Sequence, residues 1–410
     1  MMHSVPNSVI PGRLDVTVTT ETPTSDLDLY SDESVIAPYD NYRQLRESGP
    51  AVWLSRYQVW ALARHAEIYA ALHDHETFSS GSGVGLSEEL NKVMAGGTIA
   101  SDPPEHDQIR RVIGRQLTPK ALRHHQEHVR HRAAVLVHEL VERRSFDAVP
   151  EFAQRFPVSL VPDLLGWPED ETGKLLEWAG AGFNALGPMN ERTMAGFPVL
   201  KGLWEFLDQL AVSRNLRADT WGANLVAAVD AGEVPAAKLP VLLGDFLVPS
   251  LDTTVSALAS AIWLFGTHPE QWQRVRADPS LIPAAFNEIV RYETPARGFC
   301  RLVTRDHELP GGVRLTAGSR VFLLFASANR DERVFPEPDT FDVTRPNVAM
   351  HLAFGHGIHG CVGQGLARME AHALLAELAA RVEHIEVGPP VWRRHNTIRG
   401  LAELPTTLHS

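Results

Sequence analysis

The sequence predicts a mainly α-helical fold with small β-sheets, and three features carry that expectation. Residues 122–144, 152–165, 195–212, 239–267 and 364–382 are long runs with helical apolar spacing. The strand-like runs, 51–54, 59–62 and 320–324, are short and bounded by turn residues. A glycine-rich loop, Phe354-Gly355-His356-Gly357-Ile358-His359-Gly360-Cys361-Val362-Gly363, leads straight into the last helical run.

The chain has 410 residues and a formal charge of -12. That length admits two or three domains or one large one. The acidic balance, with no basic stretch long enough to track a phosphate backbone, excludes general nucleic-acid binding. Cys300 and Cys361 are the two cysteines, so no disulfide framework is implied and a reducing cytoplasm suits a free thiolate. No uninterrupted apolar run reaches the roughly 20 residues that span a bilayer. Residues 1–23 lack the basic end and apolar core of a signal peptide and are expected to form a mobile arm.

In chain order, residues 39–45 form a short amphipathic helix ended by Ser48-Gly49-Pro50. Runs 51–54 and 59–62 make a hairpin, and 65–72 returns to helical spacing. Residues 79–86 are a glycine- and serine-rich loop carrying Val84 and Leu86, suited to moving over a pocket. Asp102-Pro103-Pro104-Glu105-His106 starts a helix on which His106 and Arg110 share a face. Further helices are expected over 152–165, 169–183 and 195–212, with 215–235 as a polar linker. The long apolar segment 239–267 is interrupted by Pro249, which lacks an amide donor. Asp245, Asp252 and Thr253 make it unsuited to lipid exposure, and a buried Asp and Thr need hydrogen bonds. In the helix 283–292, Glu288 and Arg291 stand three apart on one face.

Around Cys361 the glycines let the backbone close in, and the following helix aims its amide dipoles at the sulfur, which favours a thiolate. A nucleophile would want a nearby base, and a zinc site more Cys and His at short spacings. Neither pattern fits well. A lone thiolate ligand to a metal that brings its other ligands with it describes haem iron.

The motif Phe-Gly-x-Gly-x-His-x-Cys-x-Gly resembles the haem-ligand loop of the cytochrome P450 family, and the resemblance runs from about Tyr39 to the last strands. It implies one catalytic domain over 24–410, clamping haem b between the long central helix and the loop of Phe354 and Cys361. In the family, residues placed like His106, Arg110, Arg301 and His359 hold the haem propionates by charge-assisted hydrogen bonds. Asp252 and Thr253 match the acid and alcohol that deliver protons to the oxygen being activated. Pro249 and Ser250 stand where the family has small residues and glycine, which implies a groove of different shape. Glu288 and Arg291 match a buried structural pair, with Arg345 as its third member.

The resemblance further implies a monooxygenase of the soluble bacterial type, without a membrane anchor, using O2 and a ferredoxin with its NAD(P)H-dependent reductase. Arg110, Arg111, Arg115 and Arg368 are candidates for a basic docking patch. Two alternatives stand beside it: a peroxide-driven peroxygenase of the same fold, against which Asp252 and Thr253 argue, and a non-catalytic haem sensor, open to any thiolate site, against which the lack of an output domain or DNA-binding element argues. Gly83-Val84-Gly85-Leu86, the 183–188 segment and 396–401 look like the subgroup that oxidises para-substituted benzoates, often by O-demethylation. Phe183, Val248, Ala296 and Phe299 are expected to line the substrate site, with Val84, Leu86 and Leu401. Asp245 aligns with a serine that grips the benzoate carboxylate in that subgroup, so a neutral or cationic aromatic substrate is expected instead.

Overall fold

The computed structural model describes residues 22–167 and 173–410. Pro23, counted above with the arm, already belongs to the sheet: its carbonyl accepts from the Trp53 amide at 2.7 Å. Residues 1–21 of the arm lie outside the described residues, as does the start of the helix expected over 169–183, of which Leu175–Asn184 is seen.

The molecule is built around the helix Leu239–Thr267, which is apolar on nearly every side because other helices cover it. Leu175–Asn184, Glu191–Ser213 and Arg155–Leu165 pack along it. By length and composition the stretch Ala236–Thr267 would pass for a membrane span, despite its acids and proline, but 67% of its apolar window is buried inside the protein. Two hydroxyls beside Pro249 bond back onto the helix. Ser250 Oγ donates to the Phe246 carbonyl, and Thr253 Oγ1 donates to the Pro249 carbonyl at 2.7 Å.

The expected linker 215–235 contains a helix, Trp221–Asp230. Thr220 caps it by accepting from the Ala223 amide, and Trp221, Leu225, Ala228 and Val229 at helical spacing are buried. The polar composition of the segment masked that stripe. The expected helix 122–144 is in fact two, Pro119–Arg123 and Gln126–Arg143.

The main sheet runs in the order Thr24–Ser25, Val52–Leu54, Val59–Leu62, Arg320–Leu323, Phe299–Val303, Phe78–Ser79. The hairpin pairs Trp53 with Trp60, and antiparallel pairing of Cys300 with Phe322 fixes which residues of the 296–301 segment face inward.

The helix Gln364–Arg381 packs on Gln126–Arg143 and Ile282–Tyr292. It buries Glu370 completely, with neither carboxylate oxygen hydrogen-bonded among the described residues. Burial pushes this carboxyl up to about 8 from an ordinary 4.5. The folded protein therefore keeps a proton that the unfolded chain gives up. Its stability is full below the ordinary pKa and falls as pH rises toward 8. Glu370→Gln is expected to remove that decline, making the variant more stable than the parent at pH 8.5 by about 4–5 kcal/mol. Denaturant midpoints at pH 5 and pH 8.5 check it; parallel pH profiles in the two proteins would refute it.

Candidate functional site

A cavity of about 320 Å³ lies between the central helix and the Cys361 loop. On the loop side, Gly355 and Gly357 have φ of 62° and 66°, conformations that suit glycine. A Cβ on Gly357 would also strike the Leu72 carbonyl at 2.0 Å. This turn brings the Cys361 amide to the Phe354 carbonyl at 2.8 Å and points the thiol into the cavity. Burial pushes the Cys361 thiol up, and the Gly363 and Gln364 amides, Arg110 and Arg368 pull it down. The Arg368 guanidinium stacks 4.5 Å from the centre of the Phe354 ring.

Four cationic or imidazole groups meet at one edge of the cavity. Arg110 donates to the Gly360 carbonyl and Arg301 to the Cys300 carbonyl at 2.7 Å. Neither has a carboxylate in ion-pair contact among the described residues. Burial pushes Arg301 down to about 10. The rings of His106 and His359 meet edge-on at 4.6 Å, and Nε2 of each is buried without a partner. Burial, then Arg301, pushes His359 down to about 2, so it is neutral and able to donate. Unpaired guanidiniums and orphaned imidazole nitrogens beside an apolar cavity are what the two carboxylates of a haem require. With the Cys361 thiol on one wall and the central helix on the other, the residues fit haem.

On the central helix the structure brings Thr253 to the cavity but not Asp252. Consecutive helix residues point about 100° apart, and Asp252 faces the far side. There Arg393 Nη1 donates to Asp252 Oδ1 at 2.8 Å, Oδ2 has no hydrogen bond, and His395 Nε2 is 3.9 Å away. A side chain on Gly180 would collide with Arg393, at 2.5 Å. Arg393 was missed from the sequence; no local pattern links it to residue 252.

Phe183, Asp245, Val248, Ala296 and Phe299 all line the cavity. Three expected lining residues do not. Val84 sits behind the wall, packed on Phe183 and Ala296, its carbonyl accepting from the Cys300 amide at 2.7 Å. Leu86 turns to the cluster of Leu29 and Tyr30. Leu401, paired with Trp392, is directed into the main core; Ile398, bridged to Ala296, is the apolar residue of that segment nearest the site. Thr98, Ile99 and Thr254 line the cavity and were not foreseen. Gly96-Gly97 was the available signal, since it lets the chain approach the central helix at Thr98.

The segments over the cavity are tied together by Asn396. Its Nδ2 donates to the Asn184 carbonyl at 3.0 Å and to Thr193 Oγ1 at 2.9 Å, and its Oδ1 accepts from Asn190 at 2.8 Å. Below the Cys361 loop, Glu288 receives Arg291 Nε at 2.7 Å and Arg345 Nε at 3.2 Å, with all three side chains buried.

The expected basic patch is smaller than its sequence suggests. Arg115 is held by both oxygens of Glu233, Arg368 by Gln364 and Phe354, and Arg110 by the loop. Arg111 alone of the four is exposed without an ion pair among the described residues.

The cytochrome P450 family model matches residues 227–387. The chain is 38% identical to cytochrome p450 CYP199A2 of Rhodopseudomonas palustris, across 93% of this chain and 92% of that one. It is 30% identical to 6-deoxyerythronolide B hydroxylase of Saccharopolyspora erythraea, across 93% and 98%. Among solved structures, cytochrome P450 CREJ in complex with (4-ethylphenyl) dihydrogen phosphate superposes with a TM-score of 0.84 at 25% identity, covering 95% of this chain and all of that one. The chain belongs to the cytochrome P450 family and is a haem-thiolate monooxygenase that binds haem b.

Proposed function

We propose that this monooxygenase inserts one oxygen atom of O2 into a small aromatic substrate, by hydroxylation or O-demethylation, with electrons from a ferredoxin and its NAD(P)H-dependent reductase in the cytoplasm. Residues 24–410 act as one catalytic domain. The observation that carries the substrate reading is the wall of Phe183, Val248, Ala296 and Phe299, an apolar surface with two aromatic rings that suits a flat ring. The family likeness to oxidisers of para-substituted rings supports it, as does the para-substituted phenyl ligand of the similar solved structure.

Cys361 is the iron ligand, and His106, Arg110, Arg301 and His359 take the propionates. Haem held by a thiolate supplies the oxidising power, because the sulfur pushes electron density that favours O–O cleavage. Thr253 holds a hydroxyl at the cavity, fixed by its bond to the Pro249 carbonyl. Asp252 serves it from the adjoining face, and Arg393, a third exposed, connects that carboxylate to solvent.

Thr253→Ala is expected to cut product formation about 100-fold while oxygen is still consumed and appears as hydrogen peroxide. The ratio of product to NAD(P)H consumed is the measurement, and an unchanged ratio would remove Thr253 from proton delivery. The substrate reading is tested by titrating the haem protein with para-substituted aromatics and following the Soret band. Small rings should shift the spin state; a response confined to long-chain or macrocyclic compounds would refute it.

A further inference from the structure

Asp245 is the sole carboxylate on the cavity wall among the described residues. Its Oδ2 accepts from the Thr98 amide at 2.6 Å and from Thr98 Oγ1 at 2.7 Å, so the side chain is pinned and cannot turn away. Its Oδ1 accepts no hydrogen bond from any described residue. Gly97 leaves that oxygen open: a Cβ there would lie 3.1 Å from it. No cation among the described residues makes an ion pair with Asp245. Lys238, whose charge acts on it, is held by Glu105 at 2.6 Å and the Gly96 carbonyl at 3.1 Å.

With one oxygen unpartnered and no counter-charge beside it, burial pushes the Asp245 carboxyl up. A positive group entering the cavity would meet that open oxygen and hold the carboxyl ionised. Position sets a second condition. Asp245 precedes Thr253 by eight residues on one helix, about 12 Å along the axis. A single ring with groups at its two opposite ends, plus one hydrogen bond of about 2.9 Å, spans that distance. Meta and ortho arrangements reach less far along it.

The geometry points to Asp245 Oδ1 as the anchor for a protonated amine on the substrate, placed para to the group that is oxidised. The assignment rests on the aromatic-substrate reading above. It makes Asp245 the specificity-determining residue and gives the substrate class as para-substituted aryl- or benzylamines. Thr98 is then the positioning residue that aims the carboxylate.

The test is calorimetric and spectral titration of the haem-loaded protein, at neutral pH, with 4-methoxybenzylamine, 4-methoxybenzoate and 4-methylanisole. The ammonium is expected to bind at least about tenfold tighter than the benzoate, the size of one hydrogen bond to a charged group. Its spin-state shift would show the methoxy end at the haem. Asp245→Asn keeps an acceptor for Thr98, and is expected to erase the preference for the ammonium while leaving 4-methylanisole within about threefold of the parent. The comparison in the parent protein decides by itself if the variant does not fold. Benzoate binding as tightly as the ammonium overturns the assignment, as does a nitrogen-ligand spectrum, which would place the amine at the iron. Failure of all three rings to bind is a different result. It overturns the aromatic reading and this assignment with it, whereas binding without regard to charge overturns the assignment alone.

Discussion

Cys361→Ser is expected to abolish monooxygenase turnover, by roughly a thousandfold or more, and to remove the red-shifted Soret band of the reduced carbon monoxide complex. The loop is shaped for a sulfur anion. The Gly363 and Gln364 amides face it, and Arg110 and Arg368 add positive potential. These groups only partly counter the burial that pushes the thiol up, and a serine hydroxyl, a far weaker acid than a thiol, stays protonated in the same place. It therefore gives the metal neither the anionic ligand nor the electron push. The carbon monoxide difference spectrum is the decisive measurement. A variant that kept the red-shifted band would show that another residue ligates the iron. Haem content in the same samples separates lost ligation from lost binding, since Arg110, Arg301, His106 and His359, proposed to take the propionates, are unchanged in the variant.

The second large effect is expected at a residue remote from the substrate. Glu288→Gln removes the one negative charge between two buried guanidiniums while preserving shape. Arg291 approaches it through Nε and Nη2, at 2.7 and 2.8 Å, and Arg345 through Nε. The same arginines also donate to the carbonyls of Asn329, Pro336, Pro338 and Thr340, so they cannot swing out to water without undoing the 329–345 segment. That segment leads into the Cys361 loop. Breaking a buried pair in this way costs about 3–5 kcal/mol. Equilibrium unfolding in urea should show it as a lowered midpoint, with haem loss at lower denaturant than in the parent. A cost below about 1 kcal/mol, the range of exposed ion pairs, would mean that water reaches the site.

Much of this was legible locally. The Cys361 turn depends on ten contiguous residues, and the positive φ at Gly355 and Gly357 is what their glycines allow. Glu288 and Arg291 meet because residues three apart share a helix face. The helices Tyr39–Ser48, His65–His73 and Leu239–Thr267 follow from apolar spacing that a short window contains. Even the missed helix Trp221–Asp230 carries its stripe and its Thr220 cap in the sequence, hidden by polar neighbours.

Direction across distance was not legible. Asp252 and Thr253 are adjacent, yet one pairs with Arg393, 141 residues on, and the other enters the cavity. Asp245 reads as an acid on an apolar helix until Thr98, 147 residues earlier, claims one of its oxygens and leaves the other open. Leu86 and Leu401 lie in segments that reach the site, but packing turns both side chains into other cores. The helices, the loop around Cys361 and the kinds of groups available are therefore written locally, because backbone geometry and i to i+4 spacing act within a few residues. Which of those groups face the cavity and which are already paired follows from packing, because segments far apart in the chain meet on the same helix.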